Sequence, residues 1–234
     1  MSDKNIIRVS CFAVVVFSLV GCLLTFSVIG AQSEKPDVIL VPVNYSSPDQ
    51  VVTLLNKSDE ELNLSGFKLR DGKGNLFEFP VSPSSNVDPF GVLRVHSGSE
   101  AQEDYSGKED FHWTEKRVWT KNKVVQLFNV KGEMISRLEL SGTGSVDRLA
   151  GCLTRRELTM YGLVTCPHCQ SQKDKFGSSV KYINYVECTE NRKRCIDAGI
   201  SSVPAWVKGG QGKIAVGTKS LSRLSQLAGC NYQD

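Results

Sequence analysis

The stretch YGLVTCPHCQSQKDKF, residues 161–176, sets two cysteines three positions apart immediately after an apolar run. Upstream, "ELTMYGL" (157–163) reads as a strand. Downstream, Pro167 stands at a natural first helical position, where its missing N–H costs nothing. A helix is expected from there through Phe176. Cys166 therefore falls at a strand–helix junction, with Cys169 one turn into the helix. A helix N-terminus carries partial positive charge and unpaired N–H groups, which favour thiolate over thiol. A Cys166 thiolate can attack a substrate disulfide, and Cys169 can resolve the mixed disulfide that results. His168, between them, can add positive charge or a hydrogen bond to the Cys166 sulfur. Stabilising that thiolate makes the disulfide a stronger oxidant.

The residues that follow extend the pattern. "VKYINYVEC" (180–188) reads as a second strand and "NRKRCIDAG" (191–199) as a second helix. "AWVKGGQGKIAVG" (205–217) reads as a hairpin and "SLSRLSQLAG" (220–229) as a closing helix. The order β-α-β-α-β-β-α is that of a minimal thioredoxin fold. Residues 157–230 resemble the thioredoxin-like domain fused to, or working beside, vitamin K epoxide reductase homologues. The resemblance is carried by "MYGLVTCPHCQSQKDKFG", "INYVEC", "CIDAGISSVPAW" and "SLSRLSQLAG". It implies Cys166 as nucleophile, Cys169 as resolving cysteine, and Val203–Pro204 as a substrate-side loop with a cis-proline opposite the redox pair. Protein thiols and disulfides would be the substrates, and no cofactor is expected beyond the pair itself. The quinone-reducing membrane bundle of that family is absent from this sequence, so such a partner would be a separate protein.

Two other readings of the pair are weaker. Cys166, His168 and Cys169 with Cys188 and Cys195 nominally supply zinc ligands, but no second C-x-x-C or His pair stands at ribbon or finger spacing. No metal is expected. A purely structural 166–169 bridge closes too small a loop to stabilise much. The remaining cysteines of this half, Cys152, Cys188, Cys195 and Cys230, allow three pairings. Cys188–Cys195 would close a short loop, and Cys152–Cys230 would tie the ends of the domain together. These two bridges are expected as structural staples, with Cys188–Cys195 as a second redox relay the lesser alternative.

Residues 38–141 hold no cysteine and read as β throughout. "DVILVPVNY", "QVVTLLNKS", "GVLRVHSG", "KVVQLFNV" and "EMISRLEL" are β-branched or alternating runs broken by Ser, Pro and Asn. "FKLRDGKGNLFEFP" (67–80) alternates on both sides of a Gly-rich turn and predicts a hairpin. An all-β immunoglobulin-like sandwich is expected. The segment resembles a lamin-tail domain, through an Asn ending a strand, the acidic turn, "LSGF" before a D-x-x-G hairpin and "FP", and a late "VW". That family is mostly a binding or positioning module, so no catalytic residue is carried over. Trp119 is expected in the core. Trp113 is the other conspicuous aromatic of this domain, and His96 and His112 are expected to be ordinary strand or loop residues rather than ligands.

At the N-terminus no charged residue occurs between Val9 and Ser33, and Lys4 and Arg8 precede the run. A transmembrane signal anchor over residues 9–31 with the following domains outside the cytoplasm is expected. A lipobox-like "LVGC" offers a lipoprotein attached at Cys22, and a cleaved signal peptide is the third possibility. Residues 32–37 read as a linker, as do 142–156, separating the sandwich from a thioredoxin-like domain at 157–234. Charge is nearly balanced at +3, which gives no nucleic-acid-binding surface. The sequence thus predicts a membrane-tethered extracytoplasmic thiol–disulfide oxidoreductase. The alternative is an exported binding or positioning protein in which the thioredoxin fold is a scaffold.

Overall fold

The structure, a computed structural model, describes residues 37–102, 109–121, 123–140, 144–209 and 211–232. The expected fold class needs one correction. Among the described residues no helix is long and apolar enough to cross a membrane, so the transmembrane helix is unsupported. The segment 9–31 and Cys22 lie outside the described residues.

The N-terminal half is a sandwich of two four-stranded sheets. One has the order β1 (Val38–Val41), β2 (Gln50–Asn56), β7 (Val92–Ser97) and β8 (Asp110–Thr114). The other runs β10 (Met134–Glu139), β9 (Val124–Phe128), β4 (Lys68–Arg70) and β5 (Leu76–Glu78). The short strands β3 (Leu62–Asn63) and β6 (Asn86–Val87) pair at one side. Alternation turns Val52, Leu54, Leu69, Leu93, Val95, Val125 and Leu127 into a shared core around Trp119 and Phe79. Gln50 locks that core: its side chain donates to Tyr45 O and Trp119 O and accepts from Trp119 N–H at 3.0 Å. The predicted hairpin is present, with Lys68 opposite Glu78 and Arg70 opposite Leu76. At its turn the buried Asp71 carboxylate accepts from Lys123 Nζ at 2.6 Å, from Asn75 Nδ2, and from the backbone N–H of Lys73 and Asn75. Asn56, at the end of β2, donates to the carbonyls of Glu60, Val87 and Asp88.

Residues 142–156 are not simply a linker, which is a second correction. They contain helix α1 (Ser145–Arg155), whose Leu149, Ala150 and Leu153 are buried against the C-terminal core. Gly151 lets α1 approach the sandwich: a Cβ there would sit 3.0 Å from Pro42 O. The C-terminal sheet has the order β12 (Asn184–Glu187), β11 (Leu158–Gly162), β13 (Ala205–Lys208), β14 (Gly212–Val216). β11 and β12 are parallel; β13 and β14 are antiparallel to their neighbours. Helix is sparse: α2 (Pro167–Asp174), α3 (Arg192–Asp197) and α4 (Leu221–Ala228) have 8, 6 and 8 residues. α2 stops short of Phe176 and passes into a 3-10 turn at Gly177–Tyr182, where Gly177 takes a φ of 52°.

The sandwich and the C-terminal sheet belong to one compact unit, Lys35–Asp234. Phe90, with a left-handed φ of 55°, buries its ring among Tyr161, Val186, Cys195 and Ala205. Asn184 Nδ2 donates to Phe90 O at 2.7 Å, and Arg94 on β7 forms an ion pair with Glu157.

Candidate redox site

β11 ends at Gly162, and a tight turn delivers Cys166 to the N-terminus of α2. The N–H groups of Cys169 and Gln170 donate to Cys166 O at 3.0 and 3.1 Å, which makes Cys166 the N-cap residue. Pro167 occupies the first helical position, as the sequence required. Cys166 is partly exposed, whereas Cys169 is fully buried beneath it, and both are free thiols. The Cys166 thiol is held below its ordinary value chiefly by a hydrogen bond from Cys169. Partial burial opposes this, and the backbone N–H groups of Cys169 and His168 assist it. Burial pushes Cys169 up to about 11. One sulfur is thus prepared as an accessible thiolate and the other is kept as a thiol.

His168 acts here through its main chain. Its N–H supports the Cys166 thiolate, its carbonyl accepts from Thr218 Oγ1 at 3.2 Å, and its imidazole is exposed. The loop carrying Val203 and Pro204 lies beside the pair. The Val203–Pro204 bond is cis, and Cys166 Sγ approaches the Val203 carbonyl oxygen at 4.0 Å. Cys166, Pro167, Cys169 and the Val203–Pro204 loop are therefore brought together at one end of the sheet.

Three neighbours of Cys169 were not singled out in the sequence. A Cβ placed on Gly162 would lie 3.1 Å from Cys169 Sγ and 3.0 Å from the Tyr185 ring, so a larger residue there would have to push one of them aside by a few tenths of an ångström. Tyr185 donates its hydroxyl to Glu187, and Lys173 Nζ sits 3.5 Å from the Tyr185 ring centroid. Burial and the adjacent Glu187 carboxylate push the Tyr185 phenol up, so it stays protonated. Glu187 is held below its ordinary value: burial opposes ionisation, but bonds from Tyr185, Thr189 and backbone N–H groups outweigh it. The period-2 alternation of "INYVE" is the signal that puts Tyr185 and Glu187 on one face.

The four other cysteines form Cys152–Cys230, joining α1 to the end of α4, and Cys188–Cys195, joining the end of β12 to α3. In the sandwich, His96 is buried between Asp49 and Asp110, each 3.0 Å from a ring nitrogen, and His112 stands opposite it on β8. Trp119 is fully buried and Trp113 packs edge-on against it at 5.5 Å. Among the described residues, no group of three or more His, Cys, Asp or Glu side chains is placed to hold a metal ion.

Solved structures that align with the chain include the NTD_N/C domain of alkylhydroperoxide reductase AhpF from Enterococcus faecalis. It is 14% identical over 52% of this chain and 77% of that one, with a TM-score of 0.26. A second AhpF structure from the same organism, that of a cysteine-to-alanine mutant, aligns at 14% identity over 52% and 76%, with a TM-score of 0.26. Likeness at that score carries no argument about fold or chemistry. The thioredoxin-like resemblance of residues 157–230 finds no matching family model. Residues 31–142 match the family model of the Lamin Tail Domain, so the β-sandwich of this chain is a lamin tail domain.

Proposed function

We propose that this chain is a thiol–disulfide oxidoreductase of the thioredoxin-like kind, working on protein thiols and disulfides in an extracytoplasmic compartment. The observation that carries the reading is the asymmetry of the pair: a partly exposed Cys166 with a depressed thiol at a helix N-terminus, above a buried Cys169 raised to about 11. The strand order, the position of Pro167 and the Val203 carbonyl facing Cys166 support it. Two further disulfides in the same domain support an oxidising compartment.

In the oxidising direction a substrate thiolate attacks Cys166 Sγ and breaks the 166–169 bond. The electron pair leaves on Cys169, which takes up a proton. A second substrate thiolate then attacks the substrate sulfur of the mixed disulfide and releases Cys166 as a thiolate. The substrate loses two electrons and the pair gains them. A low thiol pKa makes Cys166 a good leaving group in the second step. Reoxidation falls to a separate partner of the vitamin K epoxide reductase type. The lamin tail domain frames the catalyst through Phe90, Arg94 and α1.

The test is a pair of variants assayed for disulfide exchange with a reduced, unfolded substrate protein. Cys166→Ala abolishes exchange; in Cys169→Ala, supplied instead with a substrate protein that carries a disulfide, the Cys166 thiolate attacks one substrate sulfur, the other leaves as a thiolate, and the mixed disulfide accumulates because no Cys169 resolves it. Exchange that survives Cys166→Ala would overturn the proposal.

A further inference from the structure

A cleft of ≈ 640 Å³ opens between the lamin tail domain and the C-terminal sheet. One wall carries Ser47, Asp49, His96 and Asp110. The other carries Arg155 and Arg156 at the end of α1, Lys208 on β13, and the Cys152–Cys230 bridge. The cleft lies away from the redox pair: Lys208 stands opposite Leu158 at the start of β11, and Cys166 follows the far end of that strand, about 13 Å on. Its volume is that of a small-molecule site. Among the described residues Val51 is the only hydrocarbon side chain on its walls.

The carboxylates of the cleft are already matched. Asp49 and Asp110 each sit 3.0 Å from a ring nitrogen of the buried His96, and Arg94 pairs with Asp110 and Glu157. The cations of the opposite wall are not: among the described residues Arg155, Arg156 and Lys208 form no salt bridge. Arg155 donates to Pro42 O, which occupies one of its five N–H groups. Burial, with Arg156 and Arg94 nearby, pulls the Arg155 guanidinium down to about 10. A cation desolvated beside other cations carries a free-energy cost that a bound anion relieves. The C-terminal end of α1 favours a cation only within its last turn, so it does not account for Lys208 on another element.

We propose that this cleft binds a small phosphate monoester of a polyhydroxyl compound, the chemistry of a sugar phosphate. Three unmatched cations on one wall suit a single group with three terminal oxygens and a charge of about −1.5 to −2 at pH 7. Guanidinium forks grip such oxygens in pairs, and Lys208 adds a point charge. The facing wall offers the Asp49 and Asp110 carboxylates and the Asn44 and Ser47 side chains, which suit hydroxyl groups; Val51 alone offers little to an aromatic or aliphatic body. The site stands independently of the redox reading.

The test is titration calorimetry of the full chain in neutral detergent at pH 7 and physiological ionic strength. The probes are glucose 6-phosphate, glucose, and glycerophosphoglycerol, a phosphate diester of single charge and the headgroup of a lipid. Glucose 6-phosphate is expected to bind at one saturable site and to raise the melting midpoint with concentration. Glucose does not bind, and the diester binds at least about tenfold more weakly, which sets a free monoester apart from a lipid headgroup. Arg156→Gln with Lys208→Gln lowers the affinity about a hundredfold, roughly tenfold for each lost charged contact. Lys131→Gln with Lys193→Gln makes the same change in net charge outside the cleft and keeps wild-type affinity. Melting without ligand shows that each variant is folded; if the cleft pair melts early, Lys208→Gln alone should still lose about tenfold. No binding of glucose 6-phosphate by the folded wild type would overturn the proposal. So would equal affinity for glucose or the diester, or equal affinity of the two double variants.

Discussion

Alkylation of the reduced pair at pH 7 separates the two sulfurs quantitatively. Cys169 at about 11 is ionised to only about one part in ten thousand at that pH. Cys166 lies below 9.0, so its thiolate fraction exceeds about one part in a hundred. The population ratio is therefore at least about a hundredfold. The more basic thiolate is intrinsically more nucleophilic, and a Brønsted slope of about 0.5 over two pKa units returns roughly tenfold to Cys169. A net preference of at least about tenfold for Cys166 remains before access is considered. Access then favours Cys166 again, because Cys169 is fully buried. The assay is limiting iodoacetamide on the reduced full chain, digestion, and mass spectrometry of the peptide holding both cysteines. A single-label product carried on Cys166, with a rate that rises through an ionisation below pH 9, is the expected result. Labelling of Cys169 at a comparable rate would refute the reasoning, because burial and the helix N-terminus could not then be setting the two thiols apart.

Other consequences lie further from the pair. Asp71 has its carboxyl drawn down to about 2 from 3.8, since its bonds to Lys123, Asn75 and two backbone N–H groups outweigh the cost of burial. A depressed carboxyl stabilises the fold above its unfolded pKa and loses that contribution as the pH falls from about 4 towards 2; the amount is about 2 kcal/mol. Asp71→Asn should lose at least that much in urea unfolding at pH 7 and show a weaker acid dependence than wild type. The Cys152–Cys230 bridge spans a sequence separation of 78 and Cys188–Cys195 one of 7. On chain entropy alone, paired serine replacements should cost about 4–5 and about 2–3 kcal/mol respectively. Equal losses in denaturant titrations would reject loop closure as the source. Phe90→Ala, which empties the contact between the lamin tail domain and α3, should cost about 3–5 kcal/mol. An unchanged melting midpoint would show that the two halves do not support each other there.

What the sequence disclosed follows from how local each signal is. Cys166-Pro167 reports a helix start because both the cap and the proline act within one turn, and the structure has that start at Pro167. The 67–80 hairpin was legible for the same reason, since alternation and a glycine turn fix the register of β4 and β5. α1 was misread because its burial depends on contacts distant in sequence. "SVDRLAGCLTR" contains a glycine and several polar residues, and only Pro42 and the 3-10 segment after α2 explain why that glycine and Leu149 face inward. Phe90 is similar: in "DPFG" it looks like a turn residue, yet its ring is buried by residues from beyond position 160. The hydrogen bond from Tyr185 to Glu187 and the position of Lys173 over that ring depend on β12 lying beside β11, which spacing alone does not specify.

The central claim, that Cys166 and Cys169 exchange electrons as one pair, is tested most directly by equilibrating the full chain against glutathione buffers. Acid quenching and alkylation then count the free thiols on the 166–169 peptide. The account predicts a single two-electron transition with a midpoint between about −120 and −270 mV, in which both thiols disappear together while Cys152–Cys230 and Cys188–Cys195 stay closed. A pair that remains a dithiol at every glutathione ratio, or that loses one thiol without the other, would contradict it.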